Sequence, residues 1–434
     1  MNERLPPNPI LNAPRYGISM KRILKMAVAP VAVIGLALSL AACAGNASPA
    51  TTAKDAAGPL TVWIMGDSGT NFEKLVAPFE KQSGQKVSVV AIPWDSIDQK
   101  LTTAVASGSG PDVVQVGLSK LRTFVDAGAL LPLDSSLAAF PNLAGDNFAD
   151  AVGGKATAVA GKIVSVPWVS DTRVLFYRSD ILSASGISKP PATWDQLRAD
   201  AKTLTARGKD KFGYYIPQWD SALPVEMTWD FGGDVIDSKG KVNFDTKAFH
   251  SAVDLYTGLY ADKSVPTNGD FDQTHGFVSG AVPMLVSGPY LAKAISDAAP
   301  ELKGKWNVTT LPSATAGTSL FAGSNMGVWA TTKHKNGSLK LLSYLSKPAT
   351  QLSWYTINGE LPTVKAALAD SSLTADPMVK VFSKQLADAK VLPLVSNWDG
   401  GVGSDLLKAL NSIALTGADK SSTLDAFYKS TAGQ

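Results

Sequence analysis

The sequence predicts an α/β protein of two lobes, each a β-sheet flanked by helices, and three observations point there. At 434 residues the chain exceeds one ordinary domain. Its body opens with strand, helix, strand, helix, strand at the spacing of crossover connections in a parallel sheet. A similar set of patterns recurs later, with no sequence repeat of fixed period. The composition, 45% hydrophobic and 18% charged, suits a soluble globular protein with a core of useful size.

Ahead of the body stands the one long apolar stretch, between Lys25 and Cys43, preceded by Lys21, Arg22 and Lys25. A basic start, a short apolar run and small residues at its end describe a secretory signal peptide over residues 1–42. Pro30, Gly35 and a length short of about 20 apolar residues argue against a membrane-spanning anchor. Met20 is followed directly by Lys-Arg, so residues 1–19 read as an over-long gene start. Leu40-Ala41-Ala42-Cys43 resembles the lipobox of bacterial lipoproteins, which implies cleavage before Cys43 and diacylglycerol on its sulfur. Acyl chains contribute about 0.8 kcal/mol per buried CH₂, so more than one chain gives stable anchoring. As Cys43 is the single cysteine, an intrachain disulfide and a CxxC redox or zinc site are excluded. Residues 1–42 hold five Lys/Arg and one acidic residue, leaving 35 basic and 36 acidic groups after processing. Nucleic-acid binding thereby loses its electrostatic basis.

Residues 43–58 lack apolar periodicity and read as a flexible tether. Leu60 to Met65 is a buried strand, followed by a Gly-Asp-Ser-Gly turn. A helix starts at Thr70 with the capping box Thr-Asn-Phe-Glu, and Phe72, Leu75, Val76 and Phe79 form its apolar face. Gly84 ends it. Lys86 to Ala91 is the next strand, Ser96 caps a second helix, and Val113 to Val116 is the third strand. Lys162 to Val166 and Val174 to Tyr177 open the second set, and Thr193-Trp-Asp-Gln is another capping box. Phe249–Leu259 and Gly288–Ala298 read as helices, Trp306–Leu311 and Met326–Ala330 as strands, and the last hundred residues as mostly helical.

Several segments, in order, resemble the family-1 extracellular solute-binding proteins of ABC transporters, the maltose-binding type. They are Leu60–Asp67, Phe72–Gly84, Gly110-Pro-Asp-Val-Val, Val166-Pro-Trp-Val-Ser-Asp-Thr-Arg-Val-Leu-Phe-Tyr, Pro191-Ala-Thr-Trp-Asp-Gln-Leu, Phe231-Gly-Gly-Asp and Ser287-Gly-Pro-Tyr. The match in order and spacing covers roughly residues 59–430. The resemblance implies the type II periplasmic-binding-protein fold, with a hinge and a ligand cleft between the lobes. The first lobe would be 59–166 plus 316–360, the second 167–315 plus 361–434. It further implies a monomer outside the cytoplasm, lipid-anchored to the membrane, that hands its ligand to permease subunits and their ATPase.

A sugar presents hydroxyls at its edge and C–H patches on its faces, so carboxylates and aromatic rings are its natural partners. Asp67 follows the first strand, where side chains at a sheet's C-terminal edge face a crevice, and coincides with the family's acidic ligand contact. Ser68 stands beside it. Trp94 follows the second strand through Pro93. Asp171 aligns with a sugar-binding acid of the maltose-binding relative, and an ion pair to Arg173 is its competing role. Trp168 would stack on ligand or brace the hinge. Tyr290 falls where the family often carries a stacking ring, and Trp398 matches another such position. Trp219, Trp229, Gly323 and Asn325 complete the candidates. Trp63, Trp194, Trp306, Trp329 and Trp354 read as core. Ser119 stands where the maltose-binding relative has an aspartate, which counts against maltodextrin.

Two other readings stay open. His250, His275 and His334, the three histidines, fall in unrelated contexts with no HExxH or Gly-x-Ser-x-Gly motif. Asp67 and Asp171 could formally act as a glycosidase couple, but binding alone explains them and no cofactor is required. The same fold could hold a polyamine or ferric ion; the abundance of tryptophan favours a sugar.

Overall fold

The computed structural model describes residues 55–434 apart from 67, 94–95, 151, 154–156, 394, 396–397 and 433–434, and the side chain of 98. The signal segment, Cys43, most of the tether, and the candidates Asp67 and Trp94 lie outside the described residues.

The first strand is Leu60–Met65, as read from sequence. It lies between Val87–Ile92 and Val113–Gly117, parallel to both, in a five-stranded sheet. Ser324–Val328 and Val166–Val169 extend that sheet in antiparallel pairing. The helix Gly69–Ser83 crosses over between the first two strands and buries Phe72, Leu75, Val76 and Phe79. It ends where Gly84 takes φ 71°, a left-handed conformation open to glycine at little cost. The Thr70 capping box does not form: Ser68 is the N-cap, without a side-chain cap bond. Thr70 lies inside the helix, and a Cβ on Gly69 would come 2.9 Å from Ala91 Cβ, so glycine permits the close approach of helix and strand. The second capping box holds, with Thr193 Oγ1 accepting from Gln196 N–H at 3.2 Å at the head of Trp194–Thr205.

A second sheet has three antiparallel strands, Met284–Ser287, Val174–Tyr177 and Asn307–Thr309, with Val174–Tyr177 central. Its alternation divides two cores, as a pleated strand requires. Leu175, Met284 and Val286 join the core built on helices Trp194–Thr205, Ala222–Asp230, Lys247–Ala261 and Val402–Thr416. Val174, Phe176 and Leu285 join a smaller core with Trp306, Leu291 and Phe382. The five-stranded sheet has its own core, which contains Trp168, Trp329 and Trp354. The chain passes between the sheets at 170–173 and again at 310–323. At the first crossing Ser170 N–H donates to Leu361 O, and Ala322 N–H donates to Asp171 O. The crossings are therefore hydrogen-bonded to each other.

Candidate functional site

The crossing at 166–173 begins as a strand whose four residues are all buried, Val166-Pro-Trp-Val. Trp168 packs edge-on against Phe72, with centroids 5.9 Å apart, and tilted against Trp354 at 5.4 Å. Gln351 Nε2 donates to its carbonyl at 3.1 Å. Trp168 is thus packed in the core of the larger sheet, while its Nε1 is buried without a hydrogen-bond partner among the described residues.

Beyond it the chain carries charge into a partly covered region. Asp171 is half-buried, and its Oδ1 is buried without a hydrogen-bond partner among the described residues. A Cβ on Gly288 would overlap this carboxylate, so glycine is what lets the two segments meet. Arg173 is paired instead with Asp220, and lies 3.5 Å from Glu226 Oε2. Glu226 is fully buried; its Oε1 accepts from Leu320 N–H at 2.6 Å, while Oε2 has no hydrogen bond among the described residues. Burial pushes the Asp171 carboxyl up to about 7 against the pull of Arg173, with Glu360 and Asp220 raising it further. Glu226 is likewise raised by burial to about 7, opposed by Arg173. Three carboxylates share one guanidinium, so the cluster carries more acid than it can neutralise.

Two aromatic rings belong to the same neighbourhood. Asp220 Oδ1 accepts from Ala222 N–H at 2.9 Å, which orients the loop before helix Ala222–Asp230. Its neighbour Trp219 is 65% exposed. Ser287, beside Gly288, donates its hydroxyl to Tyr290 Oη at 3.0 Å, and Gln273 Nε2 donates to the same oxygen at 2.9 Å. Tyr290 is thereby pinned at its hydroxyl while its ring is 40% exposed. Among the described residues three large apolar side chains are exposed, and Trp219 and Tyr290 are two of them. For such residues exposure is the informative departure.

The remaining expected contacts are packed. Trp398 is 0% exposed and donates Nε1–H to Ser221 Oγ at 3.0 Å. Trp229 is 2% exposed and donates to Asp234 Oδ1 at 3.0 Å. Each indole thus has its apolar body in the core and its one donor answered. Asn325 is buried with Nδ2 donating to Ser165 Oγ at 2.9 Å. A Cβ on Gly323 would overlap Val169 O and approach the Phe321 ring, so close packing accounts for this glycine. Ser68 is half-buried at the N-cap of Gly69–Ser83. Trp194, Trp306, Trp329 and Trp354 are core, as expected, while Trp63 is half-buried under Lys100.

Sequence reasoning missed Asp220, Glu226 and Asp399. Glu226 carried a legible signal: it is the acid in the otherwise uncharged run Ala222–Trp229, and such residues are seldom buried without a partner. Asp399 carried none. It accepts from Ser119 Oγ at 2.9 Å and from Lys120 Nζ at 2.6 Å, across 280 and 279 residues of sequence.

With this geometry in hand, the likenesses to known proteins are specific. The model of the bacterial extracellular solute-binding protein family matches residues 64–352, well over half of the chain. A diacetylchitobiose binding protein of Streptomyces coelicolor is 24% identical over 394 residues, 87% of this chain and 90% of that one. The structure of the sugar-binding protein MalE of Xanthomonas citri is 26% identical with a TM-score of 0.76, covering 86% of this chain and 96% of that one. The acarbose receptor of Streptomyces glaucescens is 25% identical with a TM-score of 0.77, over 87% of this chain and 99% of that one. The fold is the two-lobed periplasmic-binding-protein fold expected from sequence.

Proposed function

The chain belongs to the bacterial extracellular solute-binding proteins, and from that premise we propose that it captures a sugar or oligosaccharide and delivers it to the permease of an ABC importer. The ligand sits where residues 170–173 cross between the sheets, between lobes that meet at the crossings 170–173 and 310–323. Asp171, Trp219 and Tyr290 contact it, joined on sequence grounds by Asp67, Ser68 and Trp94. Trp168, Trp229, Trp398, Gly323 and Asn325 form the packed shell that holds these in place. Outside the cytoplasm, lipid on Cys43 keeps the monomer at the membrane.

One observation carries this reading. Among the described residues a buried oxygen of Asp171 lacks a partner, and Trp219 and Tyr290 expose flat rings on segments joined to the same cluster. A hydroxyl donor would satisfy the first, and the C–H face of a pyranose would cover the second. The surplus of acid around Arg173 favours one alternative occupant, a polyamine.

A thermal-shift screen of the protein against mono- and oligosaccharides and spermidine separates the two, since a ligand stabilises by RT ln(1 + [L]/Kd). A sugar is expected to raise Tm. Trp219→Ala and Tyr290→Ala should each weaken that sugar about three- to tenfold, the scale of one stacking contact. Stabilisation by spermidine alone, or unchanged affinity in both variants, would overturn the reading.

A further inference from the structure

We propose that Lys120 and Asp399 form an ion-paired clasp between the two halves of the fold, which draws them together before ligand arrives and so sets how tightly ligand is held. The inference rests on the binding reading above for its consequence, and on geometry alone for its existence.

Each end of the clasp is mounted on a different core. Lys120 lies in the first turn of helix Leu118–Asp126, whose Leu118, Leu121 and Phe124 are buried against the five-stranded sheet. Asp399 follows Trp398, which is wholly buried in the helical core of the other half and fastened to Ser221. Each group is thus carried by a neighbour packed in its own core, Leu118 and Leu121 for Lys120 and Trp398 for Asp399. Their meeting at 2.6 Å, with Ser119 Oγ on the same carboxylate oxygen at 2.9 Å, therefore reports on the halves themselves. The carboxylate also lies against the first turn of a helix, where the peptide dipoles favour negative charge.

Exposure decides whether such a pair matters. Arg122–Asp126 and Lys293–Asp297 are local pairs within one helix and well exposed, the kind that contributes little. The Lys120 side chain is 12% exposed and that of Asp399 33%, so water screens this pair less without removing it wholly from solvent. A pair in that intermediate state can form and break at modest cost, which a clasp requires and a buried structural ion pair does not allow.

The clasp also stands close to the ligand region. Trp398 donates to Ser221, whose neighbour Asp220 holds Arg173, two residues from Asp171. Closing the halves there brings the first-lobe contacts towards Asp171, Trp219 and Tyr290. When the competent state is only partly populated, apparent affinity falls by that fraction, so losing the clasp weakens binding without removing any ligand contact.

The test uses the full chain with Cys43→Ser, spin-labelled at Lys74→Cys and Lys408→Cys, and measures pulsed-EPR distances without ligand. Asp399→Asn and Lys120→Gln should each shift the distribution to longer distances, and high salt should do the same to the parent. The charge swap Lys120→Asp with Asp399→Lys should restore the parent distribution, which a merely structural role would not. For a sugar identified by the thermal screen, Asp399→Asn should raise Kd about three- to tenfold and flatten its dependence on salt. Distances unmoved by both single variants and by salt would overturn the clasp whatever the ligand proves to be. Distances that move in a protein that binds no sugar would uphold the clasp and sink the sugar reading.

Discussion

Two buried carboxylates, Asp112 and Asp171, show how alike acids on one fold come to do different work. Asp112 precedes the third strand of the larger sheet, and every oxygen it has is answered. Oδ2 accepts from Thr61 N–H at 2.8 Å, and Oδ1 meets the Thr332 hydroxyl and, at 3.0 Å, His334 Nδ1. These bonds pin the first strand and the loop after Ser324–Val328 to the start of the third. Asp171 sits at the crossing between sheets, and its Oδ1 has no hydrogen bond among the described residues. A satisfied buried acid stabilises its surroundings; an unsatisfied one is a standing cost that persists where a ligand removes it. The lesson is that the partner count, more than the burial, separates an acid tied fully into the structure from one that is not.

Removing the structural acid should have the largest effect. Asp112→Ala leaves Thr61 N–H, the Thr332 hydroxyl and His334 without their acceptor, and is expected to cost roughly 2–4 kcal/mol in chemical denaturation. Ligand affinity of the folded fraction should stay within about twofold, because no contact at the crossing changes. If affinity falls as much as stability, the two acids are not separate devices and the comparison breaks.

Asp171→Asn should do the reverse. Its affinity for ligand, read by calorimetry, is expected to fall about tenfold, the loss of a charge-assisted hydrogen bond. Stability should hold or rise, since a costly buried carboxylate has become neutral. A variant that unfolds readily would place Asp171 among the structural acids.

The smallest effect is a slope. Asp171 and Glu226 start from ordinary values of 3.8 and 4.5 and are both raised to about 7 in the folded chain, so between pH 4 and 7 the folded state keeps protons that the unfolded state has released. Stability from this cluster is therefore present in full below about pH 4, declines as pH rises to about 7, and changes no further above it. Glu226→Gln keeps an oxygen for Leu320 N–H and should make the Tm profile shallower over that window. An unchanged slope would mean the cluster is better neutralised than the placing of Arg173 implies.

Much of this was legible in the chain itself. The first strand has the limits that its apolar run suggested, and the four buried residues of the first crossover helix are those its spacing picked out. Tyr290 and Trp219 were named from sequence and stand exposed beside the acid cluster. The failures are equally specific. Thr70 and Thr193 head the same capping pattern, yet only Thr193 caps, because the first helix begins at Gly69 and leaves Thr70 inside it. Trp398 and Trp219 were both named as ligand contacts, and one is 0% exposed while the other is 65%. No local pattern distinguishes them, as the walls that enclose Trp398 come from helices elsewhere in the sequence.

By itself, then, the order of the residues determined the class of fold, the main alternation of strand and helix, and the kinds of side chain offered to a ligand. Periodicity, turn chemistry and composition are local properties, and each can be read within a few residues. Which acid is left unsatisfied, which tryptophan is covered, and that Ser119 and Lys120 meet Asp399 were decided only when distant segments packed together. Partnership and exposure depend on atoms hundreds of positions away, brought near by burial of apolar surface that has no sense of sequence order.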